Sequence, residues 1–303
     1  MKAEARGIKA VRIANDIINN ALLVIIVALL AFAVYALWDS KQIYYAASKS
    51  NYEVYKPDKE GGGNTFKELQ AINPEVIAWI DVYGTNIDYP VVQGEENSKY
   101  VNTNAEGRYS LTGAIFLDAG NSADFSDFNN ILYGHHMDKN VMFGEIGSFA
   151  KKSVFDSHRY GNLFTGGKDY GIEFFALVEA DAYDRQVFRI KVDEEERMLF
   201  LSGLLESAVQ KRDVRVTGSD RIVLLTTCST ASTNGREILV GLMTDDVFAD
   251  PFKNKGTSLG EGQSPIFQYG DIDELCLRLL LLALGLAMLI ITLARAKRRS
   301  TSD

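Results

Sequence analysis

Along most of this chain apolar and polar residues alternate over short intervals, but two stretches do not alternate at all. Ile17–Trp38 contains no charged residue, and Leu275–Ala294 contains only Arg278, near one end where a long side chain can snorkel. Each matches the roughly 20 residues that a helix needs to cross a bilayer. The first is longer than the apolar region of a cleaved signal peptide, and Asp39-Ser40-Lys41 offers no small-x-small cleavage site, so it reads as an anchor. Lys2, Arg6, Lys9 and Arg12 precede it, and Arg295, Lys297, Arg298 and Arg299 follow the second. Positive flanks stay inside, so both termini are expected in the cytoplasm and the intervening chain outside.

The chain then divides into a basic tail (1–16), a transmembrane helix (17–38), a stalk (39–64), a folded domain (65–245), a return linker (246–274), a second transmembrane helix (275–294) and a basic tail (295–303). Gly61-Gly62-Gly63 in the stalk and the Gly, Ser, Asn and Asp of the linker mark extended connections. Within the domain, Thr65 is a plausible cap for a short helix that Asn73-Pro74 ends. Strand-like runs follow at Ala78–Val82, Ile87–Val92, Ala114–Leu117, Ile131–Tyr133, Ile172–Val178, Val187–Val192, Val214–Thr217, Ile222–Thr227 and Glu237–Met243. Repeated short strands suggest a mainly β domain, a barrel or a sandwich. One segment has the helical period instead. Over 193–212, Asp193 and Glu196 suit a capped start, Leu201, Leu204, Leu205, Ala208 and Val209 form an apolar stripe, and Lys211-Arg212 suit the end.

The net charge of −8 over 303 residues describes an ordinary acidic soluble protein. The distribution changes that picture. Residues 39–273 hold 36 acidic and 23 basic residues, a net of −13, while the basic termini act as topology signals. An acidic exterior excludes nucleic acid as the main partner.

Cysteine usage narrows the chemistry. Cys276 falls in the second span, which leaves Cys228 alone in the exterior domain without a disulfide partner. It ends the apolar run from Arg221, before a polar loop, and Arg236 starts the next strand, so a hairpin would bring Cys228 and Arg236 together. A thiol nucleophile needs a base or a cationic partner. The candidates are His135 and His136, just after an apolar strand. His158, among charged and polar residues, reads as a surface or packing residue. Arginine cannot be the base, but it can stabilise an oxyanion. No His/Cys/Asp cluster has metal-ligand spacing, and no cofactor is expected.

These residues together resemble a class B sortase, a membrane-anchored cysteine transpeptidase of Gram-positive bacteria. The signature is Leu225-Thr226-Thr227-Cys228 with Arg236, beside Tyr133-Gly134-His135-His136-Met137 and Met142-Phe143-Gly144. Asn73–Ile80, Ile87–Gly94 and Gly113–Asp118 are similar to the family's early segments, and the likeness covers about 65–245. The resemblance implies an eight-stranded sortase β-barrel with an N-terminal helix, and the segment near 193–212 as the extra helix of class B. Cys228 would form a thioacyl intermediate with a C-terminal sorting signal of an exported protein. His135 would be the acid/base, since the family's histidine directly follows the glycine, and neighbours on an extended segment point to opposite sides. Arg236 would stabilise the oxyanion, and Thr227, with Thr226, would support the site and the substrate pocket. The acceptor would be an amine of a cell-wall precursor or a pilin lysine. The C-terminal span departs from many class B members and is more familiar in pilus-building class C enzymes. Their lid carries an Asp-Pro-aromatic triplet; here Asp250-Pro251-Phe252 lies after the barrel and reads as a turn. Two other readings use the same residues: a non-catalytic membrane-tethered assembly or binding module, and a hydrolytic cysteine peptidase.

Overall fold

A computed structural model describes residues 2–57, 64–228 and 234–253. The second apolar span, Cys276 and most of the return linker lie outside the described residues. The first span lies in α1 (Lys2–Ala46), and this helix contains the stretch, among the described residues, that is long and apolar enough to cross a membrane. Its Leu22, Ile25, Leu29 and Phe32 are exposed. Residues up to Gln42 form one unit, and the chain from Ile43 belongs to another.

That second unit is built on strands. α2 (Asn64–Ile72) comes first, with Thr65 inside the helix rather than at its cap, its hydroxyl donating to the Lys56 carbonyl at 3.0 Å. The strands are β1 (Val76–Val82), β2 (Asp88–Val92), β3 (Ile115–Leu117), β4 (Asn129–Tyr133), β5 (Tyr160–Thr165), β6 (Lys168–Asp181), β7 (Ala208–Lys211), β8 (Arg221–Cys228) and β9 (Gly235–Thr244). α3 (Lys152–Ser157) precedes β5, and α4 (Arg197–Glu206) precedes β7. The order β5-β1-β2-β3-β4-β8-β9-β6 closes through a β5–β6 pairing, so eight strands form a barrel and β7 adds to β6 outside the ring. Most neighbours run antiparallel; β2–β3 and β4–β8 run parallel.

Alternation on the strands fills two cores. Val223 and Leu225 of β8 join Leu132, Leu239 and Phe174 in one cluster, while Ile222 and Leu224 join Ile131, Ile238, Val240, Leu201 and Leu204 in another. Both faces of β8 are thus covered, which explains why its sequence is a continuous apolar run. The second cluster exists because the segment between β6 and β8 folds over this outer face.

That covering segment differs from its sequence pattern. The helix expected over 193–212 is a 3-10 turn at Glu194–Glu196, then α4, and it ends at Glu206. Neither the Asp193 nor the Glu196 side chain makes a capping hydrogen bond. Residues 208–211 become β7, because β5 pairs with β6 only as far as Glu173 and leaves the later edge of β6 open. Arg212 secures the turn: its backbone N–H donates to Phe175, its guanidinium donates to the carbonyls of Phe174 (2.6 Å) and Phe155, and it lies over the Phe155 ring. Tertiary hydrogen bonds therefore override helical continuity. Val187–Val192 and Val214–Thr217, expected as strands, are irregular. Their apolar residues are real cover instead: Val187 and Val192 are buried and Val214 and Val216 pack against the same cluster.

Two segments expected to be extended connections pack on the barrel. Ala47 and Tyr52 are buried, and Lys56 bridges Asp81 (2.9 Å) and Asp88 (2.6 Å). After β9, Phe248 stacks on Tyr160 and Phe252 stacks on His158. His158 is a packing residue, and burial holds its pKa below the ordinary value.

Candidate active site

The site forms where β4, β8 and β9 end side by side. In the β8–β9 hairpin Cys228 is the direct partner of Arg236. In the parallel β4–β8 pair Tyr133 is the partner of Thr226, and the ladder continues through the Gly134 N–H, which donates to the Thr226 carbonyl at 3.1 Å. His135 follows directly after Gly134, in the loop that leaves the end of β4. Paired residues share a face of a sheet. Cys228 and Arg236 therefore share a face, and Tyr133, Thr226 and Ile238 form the row behind them. Thr227 and its partner Glu237 point to the opposite face.

Cys228 is exposed, and it is the free cysteine among the described residues. His135 is half-buried, with Nε2 2.9 Å from the Val101 carbonyl. A carbonyl only accepts, so Nε2 carries the proton and Nδ1 of a neutral ring keeps its lone pair. His136 pairs instead with Met142, and its buried Nδ1 has no partner among the described residues. Burial pushes the Glu237 carboxyl up, against the opposing pull of this imidazole. The hydroxyls of Thr226 and Thr227 are likewise buried without a partner among the described residues.

The loop that carries the histidines explains its own motif. A Cβ at Gly134 would lie 2.6 Å from the Phe143 ring, and one at Gly144 would lie 1.9 Å from the Met137 carbonyl oxygen. Only glycine lets the loop fold back this tightly. Phe143 then donates its N–H to the His135 carbonyl at 3.1 Å.

Behind the row, Tyr133 is fixed on three sides. Its hydroxyl donates to Asp118 Oδ2 at 3.0 Å, and its ring meets those of Phe116 and Phe188. Asp118 is itself held by Asn97 Nδ2 and the Gly120 N–H. Burial and the Asp118 charge raise the Tyr133 pKa, opposed by the charge of Arg236. Sequence reasoning assigned no role to Tyr133, Asp118 or the Val101 carbonyl. The first two lie in segments already singled out by their likeness; a backbone carbonyl has no sequence signal.

An exposed thiol, an imidazole with a free lone pair and a guanidinium on one rim suit nucleophilic acyl transfer. No family model matches the chain. Over 166 residues it is 31% identical to sortase B of Staphylococcus aureus (strain NCTC 8325 / PS 47), covering 55% of this chain and 68% of that protein. The crystal structure of sortase B from the Type II pilus of Streptococcus pneumoniae matches with a TM-score of 0.53 and 46% identity, over 60% of this chain and 99% of that one. That of a Streptococcus pyogenes class B sortase involved in pilus biogenesis matches with a TM-score of 0.54 and 41% identity, over 59% and 97%. The chain belongs to the class B sortases, a family of cysteine transpeptidases.

Proposed function

We propose that Cys228 is the nucleophile of the transpeptidation, His135 its acid/base and Arg236 its oxyanion partner. The observation that carries this reading is the in-register pairing of Cys228 with Arg236 at the end of β8, the strand beside β4, whose following loop holds His135. As the sulfur attacks a backbone carbonyl of the sorting signal, His135 takes the thiol proton, and Arg236 stabilises the negative charge that develops on the carbonyl oxygen. The C–N bond breaks, and His135 gives a proton to the departing amine. An acceptor amine then attacks the thioester, loses a proton to His135 and frees the thiol. Thr227 and Thr226 support the strand end and the substrate pocket.

The acceptor and topology extend this reading. Two of the relatives described above are pilus sortases, with higher identity than the staphylococcal enzyme, which favours a pilin lysine over a cell-wall precursor as the acceptor. The uncharged span in α1, the second apolar span and the basic termini support a multi-pass protein of the plasma membrane, with 65–245 outside and both ends in the cytoplasm.

The test is incubation of the protein with a sorting-signal peptide and an amine. Amide product is expected, with no turnover in Cys228→Ala or His135→Ala and much of it retained in His136→Ala. Activity in Cys228→Ala would sink the assignment; loss in His136→Ala with retention in His135→Ala would exchange the histidines. Free acid as the sole product in excess amine would favour a hydrolytic peptidase.

A further inference from the structure

The loop that presents His135 has a shape that its residues do not favour. Lys139, Asn140 and Met142 all have positive φ, at 60°, 59° and 52°. Asparagine visits this region readily, but lysine and methionine do so only when their surroundings hold them there. Met142 pairs with His136, and its neighbour Phe143 is hydrogen-bonded to the His135 carbonyl. Whatever fixes Met142 therefore fixes both histidines.

Tyr89 of β2 supplies that restraint. Its hydroxyl accepts the Met142 N–H at 3.1 Å and donates to the Ala47 carbonyl at 3.0 Å. The ring is 2% exposed and Ala47 is 1% exposed, so both hydrogen bonds are sheltered from water. A second contact joins the same two segments: the Lys139 ammonium lies 4.2 Å from the centre of the Tyr44 ring. The last turn of α1 and the residue after it are thus tied to the histidine loop at two points, one of them through a single phenol. Phenylalanine would fill the same space but would leave a buried N–H and a buried carbonyl unpaired.

We propose that Tyr89 is a positioning residue for His135, and that residues 44–47 set the histidine loop through it. The proposal rests on the assignment of His135 as the acid/base. It makes turnover depend on how the chain leaves α1, a dependence outside Cys228, His135 and Arg236 themselves.

The experiment uses the full chain in detergent micelles, with a sorting-signal peptide and an amine, and follows kcat, KM and the melting temperature. A small displacement of a catalytic group is costly, so Tyr89→Phe should lower kcat roughly tenfold while KM stays unchanged. Tyr44→Ala should lower kcat less, and the double variant should be no worse than Tyr89→Phe alone, because both act on one loop. Retained kcat in Tyr89→Phe, with only a lower melting temperature, would make the tyrosine a packing residue and overturn the proposal. So would a raised KM at constant kcat. Should Tyr89→Phe fail to fold, Tyr44→Ala carries the test, and unchanged kcat there overturns it. His135→Ala separates the two layers of the argument. Retained turnover in that variant brings down the site assignment together with this proposal. Full loss there beside an unimpaired Tyr89→Phe overturns this proposal alone.

Discussion

Glu145 is 2% exposed, yet its carboxyl accepts from both the backbone N–H and the side-chain amide of Asn86, which ties the start of the 3-10 turn at Ile146–Ala150 to the β1–β2 connection. Burial outweighs those hydrogen bonds and pushes its pKa from 4.5 to about 7. The folded chain thus keeps a proton that the unfolded chain gives up. This contribution to stability is fully present below 4.5 and is lost as the pH rises through about 7. Melting temperatures measured across that window should fall for the wild type more steeply than for Glu145→Gln; parallel curves would show that Glu145 is not the titrating group. Gly134 makes a second prediction at this scale. Its missing Cβ leaves room for the Phe143 ring, so Gly134→Ala should cost about 1–3 kcal/mol in urea unfolding and reduce turnover.

At the scale of elements, the cover over the outer face of β8 carries the next prediction. Leu204 of α4 is 2% exposed in the cluster that includes Leu224 and Ile238. Leu204→Ala should destabilise the protein by about 2–5 kcal/mol in urea unfolding, through lost burial and the cavity left behind. Most barrel strands were legible in the sequence, because β-branched runs bounded by turns carry their own signal, and so was the Cys228–Arg236 hairpin. The failures have a common cause. Val187, Val192, Val214 and Val216 are apolar because they cover a sheet, and the same pattern serves a strand. Ala208–Lys211 continued a helical pattern until the open edge of β6 claimed it. Of the proposed site, Cys228, Arg236 and the two candidate histidines were marked by their types and spacing, and the choice of His135 came from the family resemblance. The restraints on His135 were not, since they run through the Val101 and Ala47 carbonyls and through a tyrosine with an ordinary apolar context.

At the scale of the molecule, the chain before α2 and after β9 takes part in the catalytic unit. Lys56 closes on Asp81 and Asp88, and Phe248 and Phe252 lie on Tyr160 and His158. With the proposed topology, peptide tags at the two ends of the full chain should both survive external protease on cells whose wall has been removed, whereas a tag in the 183–186 turn should be cut. A protected N-terminal tag beside a cleaved C-terminal one would leave a single span. The parallel pairing of β4 with β8 has a further consequence, which concerns time. A chain is made and exported from its N-terminus, so His135 emerges early, while Cys228 and Arg236 belong to the last two strands of the barrel. The proposed site is complete only when β8 lies beside β4, a non-local pairing across a long stretch of chain. With the site proposed above, copies cut short before β8 lack both Cys228 and Arg236 and have no means of capturing a substrate.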